Sequence, residues 1–353
     1  MSDSRWRALS LVLVAGVALC GFSCDRIRRV SPIVRAGSPS FFAMPQRPVC
    51  EGTIGGAIDV AAVDGDLSEV SGIASSLTNT DLVWMLNDAG NAAAVMGVGA
   101  DDGVTRLVVT LPVDNIDFED VAVGPCPDMS GPCVFVADTG DNDGLRDVVF
   151  IYAFPEPELS TIKPDSTGVA RVDLTAVWIM PLTYPDNAHP NVEAIAVLPD
   201  ATALILFEKV EADSARIFVY RAPWTVLTPL DGADNDDARV VELTGSVTVP
   251  ASVGSDVDRR ITGASMHWSG TRLLLRTAGA ILEYASNDPV GFFDLTDRAP
   301  RQQVVSPADE EQGEAITHDE SGTGWLSISE VKKKKAKTGL TPILHRLPCE
   351  FAN

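Results

Sequence analysis

Five short segments recur along this chain and restrict its fold more than any other feature. They are Ser71-Gly72-Ile73-Ala74, Glu119-Asp120-Val121-Ala122, Glu193-Ala194-Ile195-Ala196, Thr262-Gly263-Ala264-Ser265 and Glu314-Ala315-Ile316-Thr317. Each runs polar, then small or acidic, then apolar, then Ala, Ser or Thr, and each precedes an apolar run that ends on a polar or charged residue. Recurrence at roughly fifty to seventy residues marks a repeat architecture, in which each unit buries its apolar face only against its neighbours.

The apolar runs between motifs are short. They cover 81–88, 94–99 and 105–112 after the first motif, and 133–138, 148–154 and 169–182 after the second. Those after the third are 203–208, 215–221 and 238–250; after the fourth, 272–276, 280–284 and 302–305; after the fifth, 324–330 and 342–347. Rich in Val, Ile, Leu and aromatic residues and separated by Gly, Pro, Asp and Asn, they read as strands. No run shows helical periodicity. Four units have four strands and the last has three, while residues 52–63 supply a spare strand ahead of the first motif. The expected fold is therefore all-β: a β-propeller of five blades, closed by an N-terminal strand that completes the C-terminal blade. Six blades is the alternative count, because the second and third units are long. Their extra length, 156–168 and 228–237, reads as loops.

Closure gives the cysteines a meaning. Cys349 follows the last strand of the final unit and Cys50 just precedes the borrowed strand, so antiparallel pairing brings them together. A Cys50–Cys349 disulfide would lock the ring by roughly 2–4 kcal/mol; two free buried thiols are the alternative. Cys126 and Cys133 bracket a Pro- and Gly-containing turn that a local disulfide would pin. An even set of four cysteines fits an oxidising compartment.

The N-terminus fits export. Arg5 and Arg7 precede an apolar run over 8–19, too short to span a bilayer, which leads into Gly21-Phe22-Ser23-Cys24. This resembles a bacterial lipoprotein signal, with Gly21 where that pattern prefers Leu. The resemblance implies a signal peptide over 1–23 and Cys24 as the lipidated residue, with plain secretion or a retained anchor as alternatives. Residues 24–50, carrying Arg26, Arg28, Arg29 and Arg35, read as a flexible tether, and 51–353 as a single propeller domain. The expected location is outside the cytoplasm, lipid-anchored to the cell envelope or secreted.

Net charge is −22. That excludes a nucleic-acid partner, which needs a basic face. The charge either solvates a self-repelling surface or brings some acids together on a cation. Residues 332–337 (KKKKAK) read as a solvated charge run in a loop of the last unit.

Several segments resemble a known group. Asp117-Phe118-Glu119-Asp120-Val121-Ala122, Asp138-Thr139-Gly140-Asp141-Asn142 and Ile151-Tyr152-Ala153-Phe154-Pro155-Glu156-Pro157 resemble uncharacterised exported bacterial propellers. Asn191-Val192-Glu193-Ala194, Ile261-Thr262-Gly263-Ala264 and Gln312-Gly313-Glu314-Ala315 fit the same group, over residues 68–330. The chain is more distantly similar to phytase-like and gluconolactonase-like propellers, which implies acids near the axis that hold calcium. It implies no particular reaction, since propellers host many.

In a propeller the first strand of each blade lines the channel, so the leading motif residues Ser71, Glu119, Glu193, Thr262 and Glu314 should form a ring. The second strands run back and should end beside it, at Asp88, Asp138, Glu208, Arg276-Thr277 and Glu330. Crowded carboxylates raise one another's pKa unless offset. Calcium would offset them with Glu119, Glu193 and Glu314 as ligands; protonation would make a general acid; Arg276, Lys209 or Arg146 would pair with them. Acids that merely cap strand ends are the remaining reading. Asp138 to Gly144 reads as an Asp- and Asn-rich turn, lacking EF-hand spacing. His189, His267, His318 and His345 show no zinc spacing, although His267 and His318 are candidates for the channel side. No nucleophile elbow or phosphate-binding glycine loop is present.

The functional expectation is a monomeric binding or scaffold propeller with a calcium-holding acidic axial site and a protein or small-molecule ligand. Its membrane contact would be through a lipid anchor only. The alternative is a metal-dependent hydrolase of phosphoesters, esters or lactones, with Glu119, Glu193 and Glu314 as candidate catalytic residues. Few basic residues fall near the mouth, which disfavours phosphoryl substrates.

Overall fold

The computed structural model describes residues 45–226, 237–307, 310, 312–331 and 340–351. The signal segment, Cys24, most of the tether, 228–236 and the lysine run 332–337 lie outside the described residues.

After β1 (Thr53–Ile54) and β2 (Ile58–Ala62), the first blade is built from β3 (Val70–Ser75), β4 (Leu82–Asn87), β5 (Ala94–Gly99) and β6 (Thr105–Thr110). The second holds β7 (Phe118–Pro125), β8 (Pro132–Asp138) and β9 (Val149–Pro155). The chain then leaves it as β10 (Ala170–Asp173) and returns with β11 (Trp178–Thr183). The third comprises β12 (Val192–Val197), β13 (Ala203–Glu208) and β14 (Ser214–Arg221), an excursion β15 (Arg239–Val240), and β16 (Glu242–Thr248). The fourth is β17 (Ile261–Met266), β18 (Arg272–Thr277), β19 (Ala280–Ala285) and β20 (Gln302–Val305). The fifth is β21 (Gly313–His318), β22 (Trp325–Ser329) and β23 (Ile343–Leu347), with β2 as its outer strand; β24 (Cys349–Glu350) pairs with β1. The five-bladed propeller is the architecture expected, and its ring closes through β2.

Two excursions have a role that the repeat did not show. The segment 169–182 is not one strand: Ala170–Asp173 pairs in parallel with β6 of the first blade, and only Trp178–Thr183 belongs to the second. Likewise Arg239–Val240 pairs in parallel with β11 of the second blade, and Leu295 bridges Val247 of the third. Each long connection reaches back to cover the open edge of the blade before it, a protection that exposed strand edges need.

The core is a set of layers between blades. Phe135, Leu206 and Phe218 fill the layer between the second and third blades; Phe207, Leu275 and Tyr284 fill the next. Trp84, Phe118 and Phe154 pack between the first and second. The layer between the fourth and fifth is thinner, centred on Leu274, Ile316 and Trp325. There the fully buried Arg276 is paired with Glu310 and donates to Ser306 Oγ at 2.7 Å.

Both disulfides form, Cys50–Cys349 and Cys126–Cys133. They fit an oxidising, exported environment, and among the described residues no helix is long and apolar enough to cross a membrane. Around Cys50 the N-terminal segment lies against the hairpin ends of the fourth and fifth blades. Arg47 stacks over Trp268 at 5.3 Å, Arg272 pairs with Glu51 at 3.2 Å, and Arg301 donates to the carbonyls of Glu51 and Gly52 at 2.9 Å each. His267 joins this strap. Ser269 N–H donates to its Nδ1 at 2.9 Å, so Nε2 carries the proton given to Pro48 O at 3.1 Å.

Candidate functional site

Every leading motif residue sits on a β-bulge. Pairing between first and second strands skips Ser71, Glu119, Glu193, Thr262 and Glu314 in turn. A bulge leaves its extra residue out of the ladder and re-aims the side chain, so the repeated motif is a repeated device for directing one side chain per blade to the axis. All five residues are buried. The residue after the bulge must be small where blades meet closely: a β-carbon on Gly72 would lie 2.6 Å from Val121 N, and one on Gly263 2.6 Å from Glu314 O.

The hydroxyl members of the ring hold the acidic members in place. Ser71 Oγ donates to Phe118 O at 3.1 Å and Thr262 Oγ1 to Gly313 O at 2.8 Å. Thr139, at the end of the second blade's second strand, donates to Val192 O at 2.8 Å. Each accepting carbonyl immediately precedes a bulged glutamate. A hydroxyl from the preceding blade thus fixes Glu119, Glu193 and Glu314.

Asp120 seals the axis below this ring. Its Oδ2 accepts Ile195 N–H at 2.9 Å and Ala264 N–H at 3.3 Å, and Oδ1 accepts Val121 N–H at 2.8 Å. One carboxylate therefore joins the second, third and fourth blades. Burial raises its pKa well above the ordinary range, against the pull of those three bonds.

Above Asp120 the acids fall into two groups. In the first, one oxygen each of Asp88, Asp117 and Glu119 lie within 4.8 Å of one another. Asn115 sets their spacing: it donates to Asp88 O at 3.0 Å and accepts Phe118 N–H at 3.0 Å. Burial, then the charges of Glu193, Asp88 and Asp117, push Glu119 well above its usual pKa. Burial and the Asp88 charge lift Asp117 to about 6. In the second group Lys209 is paired with Glu193, and the charges of Glu314 and Glu119 also act on it. Burial works to lower Lys209, but the three acids outweigh it and the net shift is upward. Asn191 donates to Glu193 at 2.8 Å, and Gln312 donates to Glu314. Burial lifts Glu314 to about 8, with Lys209 opposing. Glu330 acts on Glu314 from the same mouth.

The other sequence-expected residues turn to partners of their own. Asp138 is fully buried and ion-paired with Arg146 at 2.8 Å; Glu208 is held by Arg216 through Nε at 2.8 Å. Arg276 turns to Glu310 in the blade interface rather than neutralising the ring. Asp117, Gly140 and Asn191 were not expected in the site. The signal for Asp117 was present, since it lies two residues before a ring glutamate and so shares its mouth.

The donor set fits a hard divalent cation on two observations. Among the described residues nothing donates a hydrogen bond to the carboxylates of Glu119 or Asp117, although Glu119 is only 5 % exposed. Both carboxylates also lie against Gly140, where a β-carbon would overlap Glu119 Oε1 and Asp117 Oδ2. Neither carboxylate is fully enclosed, and what a cation would relieve is the crowding of like charges on Asp88, Asp117 and Glu119.

The opposite mouth differs in chemistry. A cavity of about 20 Å³ there, lined by Ser75, Ser265, Met266, Trp268, Thr317 and His318, has room for about one water. Burial, with the charges of His267 and Arg272, keeps His318 neutral, far below its usual pKa.

No family model and no curated protein matches the sequence. Among solved structures, a gluconolactonase from Xanthomonas campestris has a TM-score of 0.40 at 15% identity, covering 90% of this chain and 99% of that one. A provisional 6-phosphogluconolactonase from Bacteroides uniformis gives 0.35 at 14%, over 74% and 65% of the two chains. The protein U3-55K gives 0.35 at 8%, over 79% and 67%. Likeness at these scores carries no functional argument.

Proposed function

We propose that this protein is an exported propeller that binds a hard divalent cation, calcium by preference, at the junction of its first two blades. Asp88, Asp117 and Glu119 would hold the ion, with Glu193 beside them. The observation that carries the reading is the convergence of three carboxylates within 4.8 Å, two of them without hydrogen-bond donors and resting on a glycine. Calcium takes six to eight oxygen ligands in flexible geometry, so carboxylates and water complete such a site. The reading makes the propeller a binding module whose acidic mouth meets a protein or small-molecule ligand.

Calorimetric titration of calcium into chelator-treated protein tests it. Saturable binding is expected, with a melting temperature that rises with calcium, and Glu119→Gln should abolish both. Absence of heat together with a melt indifferent to calcium overturns the reading.

One observation favours a second reading, a metal-dependent hydrolase of esters or lactones. Glu314 retains a proton to about pH 8 beside Lys209, in the same mouth. A neutral carboxyl group so placed is able to protonate a leaving oxygen. A bound cation would polarise the substrate carbonyl. Glu193 and Glu330 outnumber Lys209 at the mouth, which disfavours phosphoesters. Turnover of an ester or lactone panel that Glu314→Gln suppresses would establish this reading over simple binding.

A further inference from the structure

We propose that Arg146 is a positioning residue for the cation site, acting through Asp138 and Gly140 on Asp117 and Glu119; the inference rests on the cation reading above. Arg146 Nη1 lies 2.8 Å from Asp138 Oδ1 and donates to Gly140 O at 2.8 Å. Asp138 Oδ1 in turn accepts the Asp117 N–H at 3.1 Å, and Gly140 N–H donates to Asp117 O at 3.3 Å. Both backbone polar groups of Asp117 are therefore held by partners that Arg146 ties together. Gly140 is also the surface on which the Asp117 and Glu119 carboxylates rest.

The loop that presents Arg146 is itself pinned. Asp141 accepts Leu145 N–H at 2.8 Å and Arg146 N–H at 3.0 Å. Asp141 N–H donates to Asn191 Oδ1 at 2.7 Å, and Asn191 donates onward to Glu193 at 2.8 Å. One loop thereby sets the backbone under two acids of the second blade and reaches a third acid on the next. Both of these bonds leave the single Nη1, so a lysine ammonium has donors enough for them but, on a shorter side chain, less reach.

Charge and geometry predict opposite signs. A positive side chain near a cation repels it, so removing Arg146 would tighten binding if charge were its only effect. Loss of a partner behind the ligands usually weakens metal affinity about 10–100-fold. The direction of the change therefore separates the two.

The test titrates calcium alone into the intact chain and into Arg146→Met and Arg146→Lys, with hydrogen exchange of the 115–121 segment followed in chelator. We expect calcium affinity to fall about 10–100-fold in Arg146→Met and by a smaller factor in Arg146→Lys. The Asp117 amide should exchange faster in both without any metal. Should Arg146→Met fail to fold, Arg146→Lys, which keeps the charge against Asp138, carries the test. Wild-type or tighter affinity in the folded variants, with unchanged Asp117 exchange, overturns the positioning role and leaves the cation site standing. No calcium uptake by the unsubstituted protein overturns both.

Discussion

Asp120 and Ile195 belong to different blades, yet the Asp120 carboxylate accepts the Ile195 N–H at 2.9 Å. Asp120 occupies the motif position that is Gly72, Ala194, Gly263 and Ala315 in the other blades. The four small residues let the inner strands approach closely, and the one carboxylate ties them with three backbone bonds. Asp120→Ala would strand the Val121, Ile195 and Ala264 N–H groups. At about 1–3 kcal/mol for each unsatisfied group, a loss of at least about 3 kcal/mol is expected in urea unfolding. Asp120→Asn keeps one acceptor oxygen and should lose less. An unfolding midpoint unchanged in Asp120→Ala would show that these bonds do not hold the ring.

Gly140→Ala isolates the cation site from the fold. Gly140 lacks the positive φ that would strain an alanine, so the change acts through the added methyl alone. That methyl meets Glu119 and Asp117. Calcium affinity should fall at least about tenfold while the metal-free melt moves little. Titration calorimetry and calorimetric melting read the two effects, and equal calcium affinity would count against the placement of both acids.

Glu314 makes metal-free stability depend on pH. Its folded pKa, about 8, lies above its ordinary 4.5, so the fold holds a proton that the unfolded chain has lost. The resulting stabilisation is complete below pH 4.5 and drains away as pH rises to about 8. Glu314→Gln removes this term. In chelator, the variant should gain on the unsubstituted protein between pH 5 and pH 8, seen as converging or crossing urea midpoints. Parallel pH profiles would refute it.

The two disulfides should differ in weight. Their sequence separations are 299 and 7 residues. In the chain-entropy account the longer loop stabilises by about 3 kcal/mol more. Replacing Cys50 and Cys349 by Ser should therefore cost more than the same change at Cys126 and Cys133, by that order, in guanidinium unfolding. Equal losses would mean that β2 holds the ring shut without the covalent bond.

The blade count and the closing strand were legible because a propeller repeats its inner strand, and Ser71, Glu119, Glu193, Thr262 and Glu314 mark it five times. The bulge beneath each was hidden, since a skipped pairing leaves no trace in a single strand's pattern. Alternation shows that 169–182 is extended but not which neighbour it pairs with, so β10 was read as part of its own blade. The side chains at the second-strand ends answer to local partners: Asp138 to Arg146, Glu208 to Arg216, Arg276 to Glu310. Those partners lie eight, eight and thirty-four residues away, which spacing alone does not connect. Asp120 looked like one more acid of the motif because its partners are backbone groups of other blades.

The strap around Cys50 lies where the inner strands finish, whereas the acids gather where they begin. The chain therefore enters the described fold on one face of the ring, and the mouth of Asp88, Asp117 and Glu119 opens on the other.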